Sequence, residues 1–146
     1  MSWFGFGGEE KKEVKDGCSE HITINATIED CKKIIYDYNK YTQFLTDLTE
    51  VKVVKESKDG NVHDVHYKVY IMLGYYLEYT LQHSKTNDGL TWTHTKDGPF
   101  SHNFGGWKLH EKDGIVNATY TVDCAFNFAV PSMARDYIVT SLHSKI

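Results

Sequence analysis

The segment VHDVHYKVYIMLGYYLEYTLQHS, residues 62–84, carries the clearest pattern in this chain of 146 residues. Apolar or aromatic side chains recur at every second position on both sides of Gly74, with polar residues between most of them. A repeat of two is typical of a β-strand with one buried face, and glycine favours a tight turn between strands. We therefore predict a β-hairpin whose turn is Met72-Leu73-Gly74 and whose two strands share one apolar face.

The same pattern continues on both sides of this hairpin. Asp-Gly pairs favour hairpin turns because both central residues of a primed turn need a positive φ. Four such pairs occur, at Asp59-Gly60, Asp88-Gly89, Asp97-Gly98 and Asp113-Gly114. Runs with a period of two lie between them from residue 51 to residue 128. The sequence thus predicts six consecutive antiparallel strands, each with one apolar face.

Helical spacing is found before and after these strands. A short strand, His21–Asn25, is followed by a capping sequence at Thr27–Asp30 and a helix, and a second short helix is predicted over Lys40–Leu45. Pro131 suits the first position of a last helix over residues 131–146. The fold class is therefore α+β, in the order β-α-α-β-β-β-β-β-β-α. One helix cannot fill the hollow of a curved sheet of six to seven strands, so we expect an internal cavity between them.

Length and composition exclude several classes of protein. A chain of 146 residues is typical of one domain, and we divide it into a flexible tail, 1–18, and a ligand-binding domain, 19–146. The formal net charge is −4 and no basic run occurs, which argues against nucleic acid as a partner. No apolar run is long enough to span a membrane, and the first residues do not resemble a secretory signal. We predict a cytoplasmic protein in which the three cysteines are reduced.

In this order of elements the chain resembles the helix-grip fold of the START-like (SRPBCC) superfamily, most closely its polyketide cyclase and coenzyme-Q-binding group. The resemblance rests on residues 22–45, on Trp92 with the DGPF and GGW segments up to residue 107, and on residues 130–138. It implies a curved sheet gripping the C-terminal helix, and a cavity for lipids, quinones, polyketides or other apolar molecules. The helix from residue 131 onward is shorter than this resemblance leads us to expect.

The turns also predict which side chains lie opposite each other. The resulting pairs are Val69 with Leu77, Tyr67 with Tyr79, His63 with His83, His83 with His94, Trp92 with Phe104, and His94 with His102. Together they predict a row of four histidines on the concave face, where neighbouring Cβ atoms lie about 4.5–5.5 Å apart. Trp107 and Leu109 are predicted to face Tyr120 and Ala118. A change of phase between Phe104 and Trp107 then predicts a β-bulge at the Gly105-Gly106 pair.

Three interpretations of the histidine row stay open. A metal site is the least favoured, because only Glu111 supplies a carboxylate on this face and metal-bound imidazoles need such partners; we predict no metal. A general acid–base role for His94 or His102, aided by Tyr79 or Tyr120, would suit a cyclase or dehydratase. The interpretation we favour is that these histidines form hydrogen bonds to a ligand, to water or to tyrosines.

The predicted ligand-binding residues combine aromatic rings with a few hydrogen-bonding groups, which suits a flat apolar ligand with some oxygen atoms. They are Tyr67, Tyr79, His83, Trp92, His94, His102, Phe104, Tyr120, Phe126, Met133 and Tyr137. No P-loop, HExxH or Rossmann motif occurs, and we predict no cofactor. We therefore predict binding, transport or sequestration of a small hydrophobic ligand. The alternatives are an aromatase/cyclase or dehydratase, and a module that binds a protein partner.

Overall fold

A computed structural model describes residues 18–43, 45–95 and 98–126. The elements are β1 (Cys18–Ile24), α1 (Ile28–Ile35), a 3₁₀ helix (Tyr38–Gln43), β2 (Leu48–Glu56), β3 (Val62–Met72), β4 (Tyr75–Thr86), β5 (Gly89–His94), β6 (Phe100–Lys112) and β7 (Ile115–Phe126). All strands belong to one antiparallel sheet of seven strands in the order β1-β7-β6-β5-β4-β3-β2. This confirms the predicted helix-grip class. The predicted C-terminal helix lies outside the described residues.

The first helix is fixed to the sheet at its N-terminus. The hydroxyl of Thr27 accepts a hydrogen bond from the backbone N–H of Asp30 at 3.1 Å, which is the predicted cap. A carboxylate oxygen of Glu111, on β6, accepts a second one from the N–H of Ile28 at 2.9 Å. Cys31 then buries its side chain against the sheet, beside Leu109 and its neighbours. The hydrogen bond to Glu111 and the packing of Cys31 hold α1 over the concave face at one end of the sheet.

The long hairpins have the predicted registers. In β3 and β4, Tyr67 lies opposite Tyr79, Val69 opposite Leu77, and His63 opposite His83. In β6 and β7, Trp107 lies opposite Tyr120 and Leu109 opposite Ala118. The β3–β4 turn itself is one residue shorter than predicted. Leu73 and Gly74 form it, and an irregularity between Tyr70 and Met72 keeps the two strands in register.

The predicted register of β4 with β5 is wrong. Asn87 and Asp88 form the turn, so His83 lies opposite Trp92 and not opposite His94. Gly89 is already the first residue of β5. Its role is close packing, because a Cβ atom there would lie 2.0 Å from the carbonyl oxygen of Trp107 on β6.

The predicted register of β5 with β6 is also wrong, here by one residue. Trp92 lies opposite Gly105, and the extra residue of β6 is inserted between Phe100 and His102 rather than at the glycine pair. A shift of one residue turns every following side chain to the other face. Phe104 and His102 therefore leave the concave face, and Asn103 takes their place with 5% of its surface exposed.

The glycine pair still shapes the sheet, for a different reason. A Cβ atom on Gly105 would lie 2.1 Å from the carbonyl oxygen of Thr121, on β7. On Gly106 it would lie 2.4 Å from the carbonyl oxygen of Leu90, on β5. Both neighbouring strands therefore approach β6 closely at this point, and only residues without a side chain permit it.

Candidate functional site: a cavity on the concave face of the sheet

A cavity of about 360 Å³ lies between the concave face of the sheet, α1 and the 3₁₀ helix. Most of the side chains in its wall are aliphatic or aromatic. They are Ile24, Ala26, Asp30, Cys31, Ile34, Ile35, Tyr41, Leu45, Tyr67, Tyr79, Leu81, His83, Trp92, Asn103, Trp107, Leu109, Ala118, Tyr120, Val122 and Cys124. Five of the predicted ligand-binding residues are among them, namely Tyr67, Tyr79, His83, Trp92 and Tyr120. Whether they contact a ligand stays a prediction.

His83 is the one imidazole in the described wall and is deeply buried, with 3% of its surface exposed. Its Nε2 atom lies 2.6 Å from the hydroxyl of Tyr67, whereas its Nδ1 atom has no hydrogen-bond partner among the described residues. Burial and the neighbouring His63 lower the pKa of His83 to about 3, so the ring is neutral at physiological pH. A neutral imidazole has one donor and one acceptor. Nδ1 therefore keeps one unused hydrogen-bonding capacity inside an apolar wall.

Two tyrosines beside His83 are neutral as well. The rings of Tyr67 and Tyr79 are stacked with their centroids 5.3 Å apart. Burial raises the pKa of both phenols well above the usual value, so each keeps its proton. Each hydroxyl can thus donate a hydrogen bond and cannot supply a negative charge.

Tryptophans extend this wall across the sheet. The rings of His83 and Trp92 have centroids 5.8 Å apart, and those of Trp92 and Tyr120 are 5.7 Å apart. Trp107 follows, with its centroid 5.1 Å from that of Tyr120. The wall therefore runs from β3 to β7 as a series of rings in contact, and it offers a broad aromatic surface to a flat molecule.

The cavity opens beside α1. Ile34 belongs to the wall and is 59% exposed, so this side chain bridges the inside and the solvent. Asp30, on the same helix, is the one ionisable acid or base other than His83, the tyrosines and the cysteines in the part of the wall that the structure describes. Its carboxylate stands in the exposed first turn of α1. The described interior thus has no fixed charge, and the charge at its edge is negative.

Asn103 is a member of this wall that the sequence did not indicate. Its side-chain oxygen accepts a hydrogen bond from the indole N–H of Trp92 at 3.3 Å, which fixes the tryptophan ring. Its backbone N–H donates to Nδ1 of His94 at 3.3 Å. The pattern Phe100, His102, Phe104 hides Asn103, because strict alternation would place it on the convex face. A bulge assumed at Ser101 would have predicted that Asn103 faces the cavity and that His102 and Phe104 face outward.

Several predicted residues lie elsewhere. His94 is outside the described wall, at the end of β5, and His102 pairs with Asp123 through an Nε2–Oδ1 distance of 2.8 Å. Phe104 is 47% exposed, and Phe126 stacks on Phe100 with centroids 5.2 Å apart. The predicted row of four histidines is therefore wrong, and only His63 and His83 remain neighbours. Met133 and Tyr137 lie outside the described residues.

Residues 18–43, 45–95 and 98–126 contain no cluster of three or more His, Cys, Asp or Glu side chains arranged to hold a metal ion. Within the same ranges, none of the helices is both long and apolar enough to cross a membrane. Cys31 and Cys124, both in the wall, are free thiols.

Solved structures of similar shape share this architecture. An aromatase/cyclase (Zhui) from a Streptomyces species superposes with a TM-score of 0.74 and 14% identity over 89% of this chain and 86% of its own. A START superfamily protein from Mycobacterium smegmatis gives a TM-score of 0.70 and 12% identity over 88% and 92%. A STAR-related lipid transfer protein from Xanthomonas axonopodis gives 0.63 and 16% over 88% and 80%. These likenesses show the fold.

Comparison of the sequence with curated proteins finds no match. The family model for polyketide cyclase / dehydrase and lipid transport matches residues 24–142, which is most of the chain and includes every strand from β2 to β7. The chain therefore belongs to the polyketide cyclase / dehydrase and lipid transport family.

Proposed function

We propose that this protein binds a small, mainly apolar ligand in the cavity, and that the ligand has a flat ring system and at least one oxygen atom. Quinones, polyketides and other ring-containing lipids belong to this class. The volume of about 360 Å³ falls within the usual range for ligand pockets, roughly 300–1,000 Å³. The family includes both lipid transport and cyclase activities, so it supports a ligand of this kind without identifying it.

One observation carries the proposal: Nδ1 of His83 is buried in an otherwise apolar wall without a partner among the described residues. Burying an unpaired polar group costs free energy, commonly about 1–3 kcal/mol. Nδ1 has almost no accessible surface in the ligand-free protein, so a ligand oxygen reaches it after a small rotation of the imidazole or of a neighbouring side chain. The new hydrogen bond would recover this cost, while the rings of the ligand would cover the aromatic surface of Tyr79 and Trp92. The apolar surface supplies most of the affinity, and His83 sets the orientation.

Two matched probes test the role of the oxygen atom: 2-naphthol, which has one hydroxyl, and naphthalene, which has none. We expect quenching of tryptophan fluorescence to show that 2-naphthol binds about tenfold more tightly than naphthalene, the usual value of one buried hydrogen bond. In His83→Phe this difference should disappear while naphthalene still binds. Native mass spectrometry of the purified protein, with organic extraction, should identify the natural ligand. Failure of both probes to bind, or an equal affinity for the two in the unsubstituted protein, contradicts the proposal.

A second candidate function is supported by the His83–Tyr67 pair. In a cyclase or dehydratase, Nδ1 of His83 would remove a proton from a carbon next to a carbonyl group. The N–H at Nε2 would donate to the phenol oxygen of Tyr67, which leaves the hydroxyl proton of Tyr67 free to donate a hydrogen bond to the oxygen of the enolate. The 2.6 Å contact provides this pair inside the cavity. The low pKa of His83 argues against it in the ligand-free protein, because a conjugate acid with a pKa of about 3 belongs to a weak base. Turnover of a linear poly-β-ketone that is lost in both His83→Gln and Tyr67→Phe would favour catalysis over binding.

The cytoplasmic location, the domain boundary at residue 18 and the role as a protein-binding module stay predictions.

A further inference from the structure

We propose that the tip of the β3–β4 hairpin, residues 70–76, docks this protein on the surface of a lipid bilayer. The tip has the sequence YIMLGYY and contains no charged residue. Leu73, at its apex, is 94% exposed, and the three tyrosines behind it, Tyr70, Tyr75 and Tyr76, are 36%, 44% and 42% exposed. Single exposed apolar residues are common on protein surfaces, but four large ones on one turn form a patch that requires an explanation.

The backbone of the β3–β4 turn is unfavourable for a leucine at position 73. Leu73 and Gly74 have φ values of 47° and 79°, and Asp113 and Gly114, in the β6–β7 turn, have nearly the same values, 54° and 78°. Aspartate, asparagine and glycine tolerate this left-handed region, whereas a leucine there suffers a steric cost. The β6–β7 turn therefore has a residue suited to its backbone, and the β3–β4 turn has one that is both unfavourable and exposed to solvent.

From the apex of the hairpin toward the body of the sheet, the residue types follow the order found across a membrane interface. The aliphatic apex, Leu73, stands farthest out, and tyrosines, which prefer the boundary between lipid and water, follow behind it. The first charges appear one step further back, at Lys68 and Glu78, which lie opposite each other. The amine of Lys68 stands over the ring of Tyr76, 4.7 Å from its centroid. On the hairpin itself, charged groups are thus confined to the depth at which head groups would lie. Asp47, beside the hairpin, accepts a hydrogen bond from the N–H of Tyr70 at its backbone carbonyl, so the head-group region would begin at the level of Tyr70.

Shape and charge select the bilayer over other partners. The end of a two-stranded hairpin is narrow and convex, whereas a stable protein interface needs roughly 800 Å² from each partner. Lys68 and Glu78 have opposite charges, and the whole chain has a formal net charge of −4, so attraction to anionic lipid is not the driving force. We therefore expect the apolar tip to insert into a zwitterionic lipid surface through its apolar side chains. This inference goes beyond ligand binding in the cavity and does not depend on it.

Flotation with phosphatidylcholine vesicles tests the proposal. The unsubstituted protein should float with the vesicles, and Leu73→Asn should lower the partition coefficient about tenfold, which corresponds to the loss of one inserted leucine side chain. Asparagine keeps the chain neutral and tolerates a positive φ, so the melting temperature of Leu73→Asn should stay the same or rise. Affinity for 2-naphthol should not change. The matched control is Asp113→Leu, which exposes a leucine on a turn of the same geometry and should leave partitioning as it is.

Three results would overturn the proposal. The first is that the unsubstituted protein does not float with phosphatidylcholine vesicles. The second is equal flotation of Leu73→Asn. The third is a gain of flotation in Asp113→Leu as large as the loss in Leu73→Asn, since any exposed leucine would then suffice. Sedimentation velocity tests the alternative that the tip binds a second copy of the chain. If the unsubstituted protein is a dimer that Leu73→Asn dissociates, and neither protein floats with vesicles, the tip serves self-association and not membrane docking.

Discussion

Mild acid should destabilise this protein through His83. Its pKa in the folded state is about 3, whereas an imidazole in an unfolded chain has a pKa of about 6.5. Below pH 6.5 the unfolded chain therefore binds a proton that the folded protein excludes. Folding stability from this residue is fully present above pH 6.5 and is lost as the pH falls toward 3.

The size of the effect at pH 5 follows from the unfolded state. There the protonated imidazole outnumbers the neutral one by about 30 to 1 in the unfolded chain, which favours unfolding by about 2 kcal/mol. This value barely depends on the folded pKa of His83, provided that it stays below about 4. Because His83 is only 3% exposed, solvent does not screen the effect.

Urea unfolding at pH 7.5 and at pH 5.0 measures the prediction. In His83→Gln, which cannot bind the proton, the loss of stability between the two pH values should be about 2 kcal/mol smaller than in the unsubstituted protein. His110→Gln is the control, because it removes an exposed histidine of β6 and leaves the buried His83 in place; the loss of stability caused by His83 should persist in this variant. Equal losses in all three proteins would refute the reasoning. If His83→Gln does not fold, the ¹⁵N chemical shifts of the His83 ring in the unsubstituted protein at pH 5 test the same prediction. A protonated ring in the folded protein at this pH would contradict it.

Two further predictions concern the scaffold of the cavity. Gly105→Ala places a Cβ atom 2.1 Å from the carbonyl oxygen of Thr121, so we expect chemical denaturation to show a loss of about 3 kcal/mol or more. Gly114→Ala, which has open space but a φ of 78°, should lose only about 1–2 kcal/mol, and a similar loss in both variants would contradict the role of close strand packing. Thr27→Ala removes the acceptor for the N–H of Asp30 and should destabilise the protein by about 1 kcal/mol, whereas Thr27→Ser should restore it.

The strand registers could be predicted from the sequence where several independent signals agree. In β3 and β4 the alternation extends over strands of 11 and 12 residues and a glycine marks the turn between them. A shift of one residue would expose many apolar side chains at once, so only one register is compatible with burial. The pairs Tyr67 with Tyr79 and His63 with His83 were predictable for this reason, and they place three residues of the cavity wall, Tyr67, Tyr79 and His83.

The same reasoning fails at β5 and the start of β6. β5 has six residues, too few for burial to exclude a shifted register. In β6, Phe100, His102 and Phe104 repeat with a period of two, yet an extra residue after Phe100 turns the other two outward. The change of phase along β6 indicates that a bulge is present but not where it lies, because its position depends on how the neighbouring strand pairs. The convex face then accepts His102 through its bond to Asp123, and Phe104 remains 47% exposed.

This change of register alters the expected chemistry of the ligand. A wall with four histidines would accept several polar groups and a negative charge, whereas the described wall has His83 as its one imidazole, neutral, and Asp30 at its edge. A buried carboxylate without a cationic partner is costly, and a nearby aspartate increases that cost. A free fatty acid would therefore have to bind in its protonated form, with a pKa raised above its usual value. Neutral quinones, phenols and polyketides meet no such penalty, because one oxygen atom can bond to His83 while their rings stay in contact with the aromatic wall.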